Sequence, residues 1–255
     1  MLLKKFKNFF SNYILNSSPN YLDIKITPEQ LINTFGKDLE LIFPQFYKIP
    51  HRYKIDFTKR IITFLKHYEF IDKTEQILTL KDKILIAATY VKLTIGFKHY
   101  VINAIDKIII YPTAQYFPEL NETHIGHYNP KHKVIMLALD RFKQDIEINT
   151  GKDIALHEFT HALCFEMLAK NNKNPDSYYF ATAYNKIKEW FEIPQNQEDI
   201  KSTYFLSPSA YTNQLEFVSS LVECFFKKEE KFKQLFPELY FYVGNMIKHP
   251  KTKVK

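Results

Sequence analysis

The sequence predicts an α+β fold in which a small sheet is flanked by helices. Two short apolar runs rich in β-branched residues, 108–111 and 133–137, lie in the middle third of the chain. Apolar residues on either side of that third recur at helical spacing. No internal repeat, low-complexity tract or long linker interrupts the 255 residues, so we expect a single domain over residues 1–255.

Helix signals dominate the chain before the sheet. Residues 1–20 mix lysines with apolar residues in a way that suits a loosely attached basic amphipathic helix, for which membrane contact is not expected. Thr27 followed by Pro28, with Gln30 three residues after the threonine, predicts a helix start. Apolar spacing then predicts a helix over 57–70 and a more buried one over about 80–93.

The strands and the second helical region have clear boundaries. The first strand ends at Pro112, and the polar segment before the second strand contains Gly126 and Pro130, which suit a loop or an irregular hairpin. Thr150, followed three residues later by Asp153, has the pattern of a capping box and predicts a helix start at that threonine. Beyond this point the pattern is almost wholly helical.

The composition excludes several classes of function. The chain has only 5 glycines, and they are spaced too widely to share a loop. This excludes nucleotide sites built on glycine-rich phosphate loops and hydrolase sites built on the G-x-S-x-G nucleophile turn. The net charge of +7 comes almost entirely from lysine rather than arginine, so nucleic acid is not an expected partner. With 2 cysteines and no apolar run long enough to span a bilayer, we expect a cytoplasmic protein.

The most specific chemical signal is the motif His-Glu-x-x-His over residues 157–161. Histidines four residues apart project from one face of a helix, so His157 and His161 can bind a single Zn²⁺. Glu158 lies one step further round the helix, where it can reach a water on the metal, as a general base must. The alternative is a pair of hydrogen-bonded core histidines beside a glutamate.

Two glutamates on a later helix are candidates to complete the site. A catalytic zinc takes three protein ligands and leaves one position open. Glu216 and Glu223 share one face of an otherwise apolar helix, where a carboxylate is costly unless a cation meets it. Zinc would explain Glu216, whereas Glu223 could orient a histidine ligand or pair with a lysine. Solvated glutamates at a helix edge are the alternative for both.

Together these residues resemble the Mlc titration factor A family of zinc-dependent peptidases, which are gluzincins. The similarity covers most of the chain and is carried by segments 108–112, 134–140, 157–161 and 216–226. It implies a zincin-like domain with the motif on a central helix, zinc bound by His157, His161 and Glu216, and Glu158 as the general base. It also implies hydrolysis of peptide or protein substrates with an aminopeptidase-like preference.

The resemblance raises two further expectations. The family usually has a tyrosine seven residues before the glutamate ligand to steady the tetrahedral intermediate, and Ser209 occupies that position here. Tyr211, two residues later, or Tyr204, five residues earlier, could take this role. Enteric members also inactivate a transcriptional repressor of sugar metabolism, so the alternative function is a regulatory protein that sequesters a transcriptional regulator and has weak or vestigial peptidase activity.

Overall fold

The structure, a computed structural model, describes residues 25–75, 77–117, 122–148, 151–169 and 174–250. The helix predicted over residues 1–20 lies outside the described residues. The chain divides into two compact units, one made of Met1–Ala87 and Ile105–Gln144 and the other of Ala88–Ala104 and Asp145–Lys255. The helix-rich α+β fold is confirmed, while the single domain over residues 1–255 stays a prediction.

The first unit contains the sheet. Its strands are β1 (Glu69–Asp72), β2 (Lys107–Tyr111), β3 (Gln115–Phe117), β4 (Glu122–His124), β5 (Gly126–Asn129) and β6 (Val134–Ala138). The main sheet has the order β1-β2-β6-β5, and β3 pairs with β4 in a separate antiparallel hairpin. In the main sheet β1, β2 and β6 are parallel, and only β5 is antiparallel to its neighbour.

Both faces of the central strands are buried. Ile109 and Met136 belong to an apolar cluster on one face, whereas Ile108 and Ile135, which pair across the two strands, are fully buried on the other. Strands covered on both faces have no polar side to alternate with, which accounts for the uninterrupted apolar runs in the sequence.

The first unit also contains helices α1 (Pro28–Ile42) and α2 (His51–His67), joined through a short 3₁₀ helix, Phe46–Lys48. The predicted start of α1 is confirmed as a capping box. The Gln30 backbone N–H donates to the Thr27 hydroxyl at 3.2 Å, and the Thr27 backbone N–H donates to the Gln30 side chain at 2.8 Å. These bonds satisfy donors that the first turn of a helix leaves open.

The prediction of a helix over residues 57–70 is wrong for its last residues. The observed helix ends at His67, and the next residues form the edge strand β1. Tyr68 already has an extended backbone, and Phe70 pairs in parallel with Ile108. The apolar residues of this segment fit either structure locally, and pairing with a strand far along the chain selects the strand.

Helices make up the second unit. They are α5 (Ile154–Met167), α6 (Pro175–Glu192), α7 (Pro194–Ser202), α8 (Gln214–Lys227), α9 (Glu229–Leu235) and α10 (Pro237–Met246). Helices α3 (Leu80–Thr94) and α4 (Leu139–Glu147) contribute residues to both units. Within the second unit α5 packs on α8, and α6 packs on α10. Among the helices that the structure describes, none is both long and apolar enough to cross a bilayer.

Helix α5 begins three residues later than the predicted capping box implies. Its N-cap is Asp153, whose side chain accepts a hydrogen bond from the Leu156 backbone N–H at 3.0 Å. Gly151 has a φ of 75°, a left-handed conformation that glycine adopts without strain and that lies outside the α-helical range. Thr150 lies outside the described residues.

Candidate metal centre

Helices α5 and α8 place the motif histidines opposite the predicted glutamate ligand. His157 and His161 lie one turn apart on α5, with their ring centroids separated by 4.7 Å. Glu216 lies in the first turn of α8, which is capped by Asn213. The Asn213 side-chain oxygen accepts hydrogen bonds from the backbone N–H groups of Leu215 at 2.9 Å and Glu216 at 3.0 Å. The cap therefore fixes the turn that carries Glu216.

The three side chains converge on one point. The two carboxylate oxygens of Glu216 lie 3.1 Å from Nε2 of His157 and 3.1 Å from Nε2 of His161. One candidate ligand atom from each residue lies within 4.8 Å of the other two, and no other group of three such residues meets this criterion in the described part of the chain. Two imidazole nitrogens and a carboxylate are a donor set that fits zinc.

The second ring nitrogen of each histidine faces α8 as well. Nδ1 of His157 lies 3.4 Å from a carboxylate oxygen of Glu223, and Nδ1 of His161 lies 3.5 Å from the Ser219 hydroxyl oxygen. Because an ionised carboxylate only accepts hydrogen bonds, His157 must donate its Nδ1–H to Glu223. The other ring nitrogen of His157, Nε2, faces Glu216, as a metal ligand requires.

The carboxylates make the centre strongly favourable for positive charge. Burial by itself would lower the pKa of His157, but hydrogen bonds to Glu216 and Glu223, aided by the nearby Glu158 charge, raise it to about 10. Hydrogen bonds from His157 and His161 hold the pKa of Glu216 well below its usual range despite its partial burial. A divalent cation bound at the centre would balance the negative charge of the same carboxylates.

Glu158 and the two candidate tyrosines differ in their surroundings. Glu158 follows His157 on α5 and is only 5% exposed. The Tyr211 ring stacks on Phe191, and its hydroxyl donates to the Ile200 carbonyl oxygen at 3.4 Å. Tyr204 is 90% exposed. Within the described residues neither tyrosine hydroxyl bonds to the centre, so their role in steadying an oxyanion stays a prediction.

Ser219 and Asp153 are functional candidates that sequence reasoning missed. Ser219 could have been found, because it lies three residues after Glu216 on the face of α8 that also carries Glu223. The capping-box pattern assigns Asp153 to a cap that begins at Thr150, whereas in the structure the Asp153 backbone N–H donates to Glu223 at 2.8 Å. Only the packing of α5 on α8 reveals this contact.

Comparison with known proteins identifies the family. The family model described as glucose-regulated metallo-peptidase M90 matches residues 24–246 and thus most of the chain. No curated protein matches the sequence of the chain significantly. The match confirms the resemblance to the Mlc titration factor A family and spans every residue of the candidate centre. The chain therefore belongs to the M90 family of glucose-regulated metallopeptidases.

Proposed function

We propose that this protein is a zinc-dependent peptidase with an aminopeptidase-like preference, acting in the cytoplasm. The observation that carries the proposal is the convergence of His157, His161 and Glu216, whose ligand atoms lie within 4.8 Å of one another. Three protein ligands leave room for water and substrate, as catalytic rather than structural zinc sites do. The two buried free cysteines, Cys164 and Cys224, fit a reducing compartment.

In the proposed reaction Glu158 acts first as the general base and then as the general acid. Zinc, when bound, would polarise the scissile carbonyl and lower the pKa of a bound water towards about 7. Glu158 would accept a proton from the attacking water and then deliver it to the leaving amine. Its burial beside His157 supports this role, because a carboxylate shielded from bulk solvent exchanges its proton with the reactants.

The Glu158→Gln variant tests this mechanism. Glutamine keeps the size of the side chain but cannot accept the proton, so we expect unchanged zinc content and about a 10²–10⁴-fold loss of turnover. Zinc in the purified protein would be measured by elemental analysis, and hydrolysis with a panel of aminoacyl chromogenic substrates. Longer peptides blocked at the amino terminus would show whether cleavage requires a free amine.

Glu166→Gln is the matched control, because Glu166 lies on the same helix and its carboxylate instead accepts a hydrogen bond from the Asn103 backbone N–H at 3.2 Å. We expect this variant to keep its activity. Wild-type turnover by Glu158→Gln would remove Glu158 from the mechanism. A wild-type protein that neither binds zinc nor cleaves any of the peptides would overturn the proposal.

A further inference from the structure

A cluster of buried charges surrounds the start of α5. Asp153 is fully buried, and its Oδ2 lies 3.6 Å from the Lys227 ammonium and 3.9 Å from the Lys92 ammonium. The side chains of both lysines are largely buried. Buried charges are costly unless they are paired, so the position of each of these groups depends on the others.

Asp153 also contacts Glu223, the hydrogen-bond partner of His157. Its backbone N–H donates to one Glu223 oxygen at 2.8 Å, while the other Glu223 oxygen lies 3.4 Å from Nδ1 of His157. Both oxygens of Glu223 are therefore engaged at the start of α5.

Lys227 lies on the same helix as Glu223, within the spacing at which the two could pair. It follows Glu223 by four residues on α8, and a glutamate four residues before a lysine is the order that favours an ion pair along a helix. The ammonium lies instead beside Asp153 and donates to the Asp145 carbonyl oxygen at 2.9 Å. Asp153 thus provides the anion that Lys227 would otherwise find in Glu223.

We propose that Asp153 is a positioning residue for the metal centre, holding Lys227 away from Glu223 so that Glu223 fixes the imidazole of His157. This inference rests on the proposed function, because it concerns the same centre. Hydrogen-bond partners of metal ligands set the orientation and basicity of the ligand, and losing one typically weakens metal binding about 10–100-fold.

The Asp153→Asn variant tests the proposal. Asparagine retains the size of the side chain and a capping oxygen but lacks the charge, so Lys227 is released to pair with Glu223. We expect about 10–100-fold weaker Zn²⁺ binding by the full-length protein, measured by competition with a chromophoric chelator. Adding Lys227→Met to this variant removes the competitor and should restore most of the affinity, which a purely structural role of Asp153 does not predict.

Lys92→Met is the matched control for the rescue. The Lys92 ammonium also faces Asp153, but it lies on α3 and over the Phe226 ring at 5.0 Å, and it shares no helix with Glu223. In the Asp153→Asn background we expect Lys92→Met to leave the affinity low. If Lys92→Met and Lys227→Met restored the zinc affinity equally, the effect would be one of overall charge balance, and the proposal would be overturned. Wild-type zinc affinity of Asp153→Asn would also overturn it.

Two further comparisons keep the result interpretable. If Asp153→Asn does not fold by circular dichroism, Asp153→Ser, which also retains a capping oxygen, is measured with and without Lys227→Met against the same expectation. A wild-type protein that binds zinc without cleaving peptides would contradict the proposed function, while rescue of zinc affinity would still support the role of Asp153. A wild-type protein that binds no zinc would overturn both.

Discussion

His157 and His161 have chemically different partners at their second ring nitrogens. His157 faces the Glu223 carboxylate at 3.4 Å, whereas His161 faces the neutral Ser219 hydroxyl at 3.5 Å. A hydrogen bond to an ionised acceptor is roughly twice as strong as one between neutral groups. The orientation of His157 is therefore held more firmly than that of His161.

This asymmetry predicts the order of two mutations. Glu223→Gln removes the charged acceptor and should weaken zinc binding by about 10–100-fold, while Ser219→Ala should weaken it by less than about tenfold. Chelator competition on both purified variants measures the difference. Ser220→Ala, one position further along α8, is the control and should bind zinc like wild type. A larger loss in Ser219→Ala than in Glu223→Gln would contradict this interpretation.

Individual residues of the centre differ in how far the sequence predicts them. The i, i+4 spacing of His157 and His161 is visible in the sequence because both lie on one helix. Glu216 is predictable as a carboxylate on an apolar helix, and the structure brings it to the histidines. The meeting of Lys92 with Asp153 is not predictable, because it depends on how α3 packs within the second unit.

Helix α8 concentrates the groups that serve the centre on a single face. Glu216, Ser219, Glu223 and Lys227 follow one another at spacings of three or four residues, so they form one stripe. Ser219 contacts His161 near the middle of α5, whereas Glu223 reaches Asp153 at its start, so the two helices run antiparallel at the centre. The sequence predicts that Glu216 and Glu223 share a face of this helix, but the direction of the opposing helix comes from tertiary packing.

Local sequence predicts the elements best where one pattern dominates. The helix over about 80–93 is confirmed as Leu80–Thr94, and both predicted strands are observed. The prediction fails at Glu69–Asp72, where a short strand depends on pairing with β2. Long-range pairing overrides the local preference of so short a segment.

Gly96 and Gly36 differ in how much room a methyl group would have in place of the glycine hydrogen. A Cβ on Gly96 would overlap the backbone carbonyl oxygen of Lys248, which cannot swing aside. A Cβ on Gly36, inside α1, would come closest to the hydroxyl end of Tyr47 at 2.9 Å, and that flexible side chain is about half exposed, so it can shift aside. Alanine also suits a helix interior better than glycine by about 1 kcal/mol.

We therefore expect Gly96→Ala to lower the free energy of unfolding by about 1–3 kcal/mol, as overpacking typically does. Gly36→Ala should be neutral or stabilising. Thermal denaturation of the two variants followed by circular dichroism provides the measurement. Comparable destabilisation by both substitutions would show that the close approach of Gly96 to Lys248 is not what limits this position.

At the scale of the whole molecule, Asp176 joins three segments of the second unit that are distant in sequence. Its carboxylate accepts hydrogen bonds from the backbone N–H groups of Lys98 at 3.0 Å and His99 at 3.3 Å, and it pairs with the Lys248 ammonium at 2.6 Å. Nδ1 of His99 lies 3.8 Å from the same carboxylate. Burial favours the neutral acid, but the Lys248 ammonium and the two backbone N–H groups prevail and lower the pKa of Asp176.

The lowered pKa makes Asp176 a source of acid sensitivity for the whole chain. An aspartate with a lowered folded-state pKa stabilises the protein fully above its unfolded value of about 3.9, and this contribution is lost as the pH falls through the folded-state value. At pH 7 we expect Asp176→Asn to cost about 2 kcal/mol, since it removes charge-assisted hydrogen bonds. Urea unfolding of wild type and variant from pH 7 to pH 3 should show this difference shrinking below about pH 4. Asp199→Asn is the control, because the Asp199 carboxylate is exposed and accepts a hydrogen bond from the Gln195 side chain, so this variant should change stability little at any pH. A constant difference in stability between wild type and Asp176→Asn down to pH 3 would contradict the assignment.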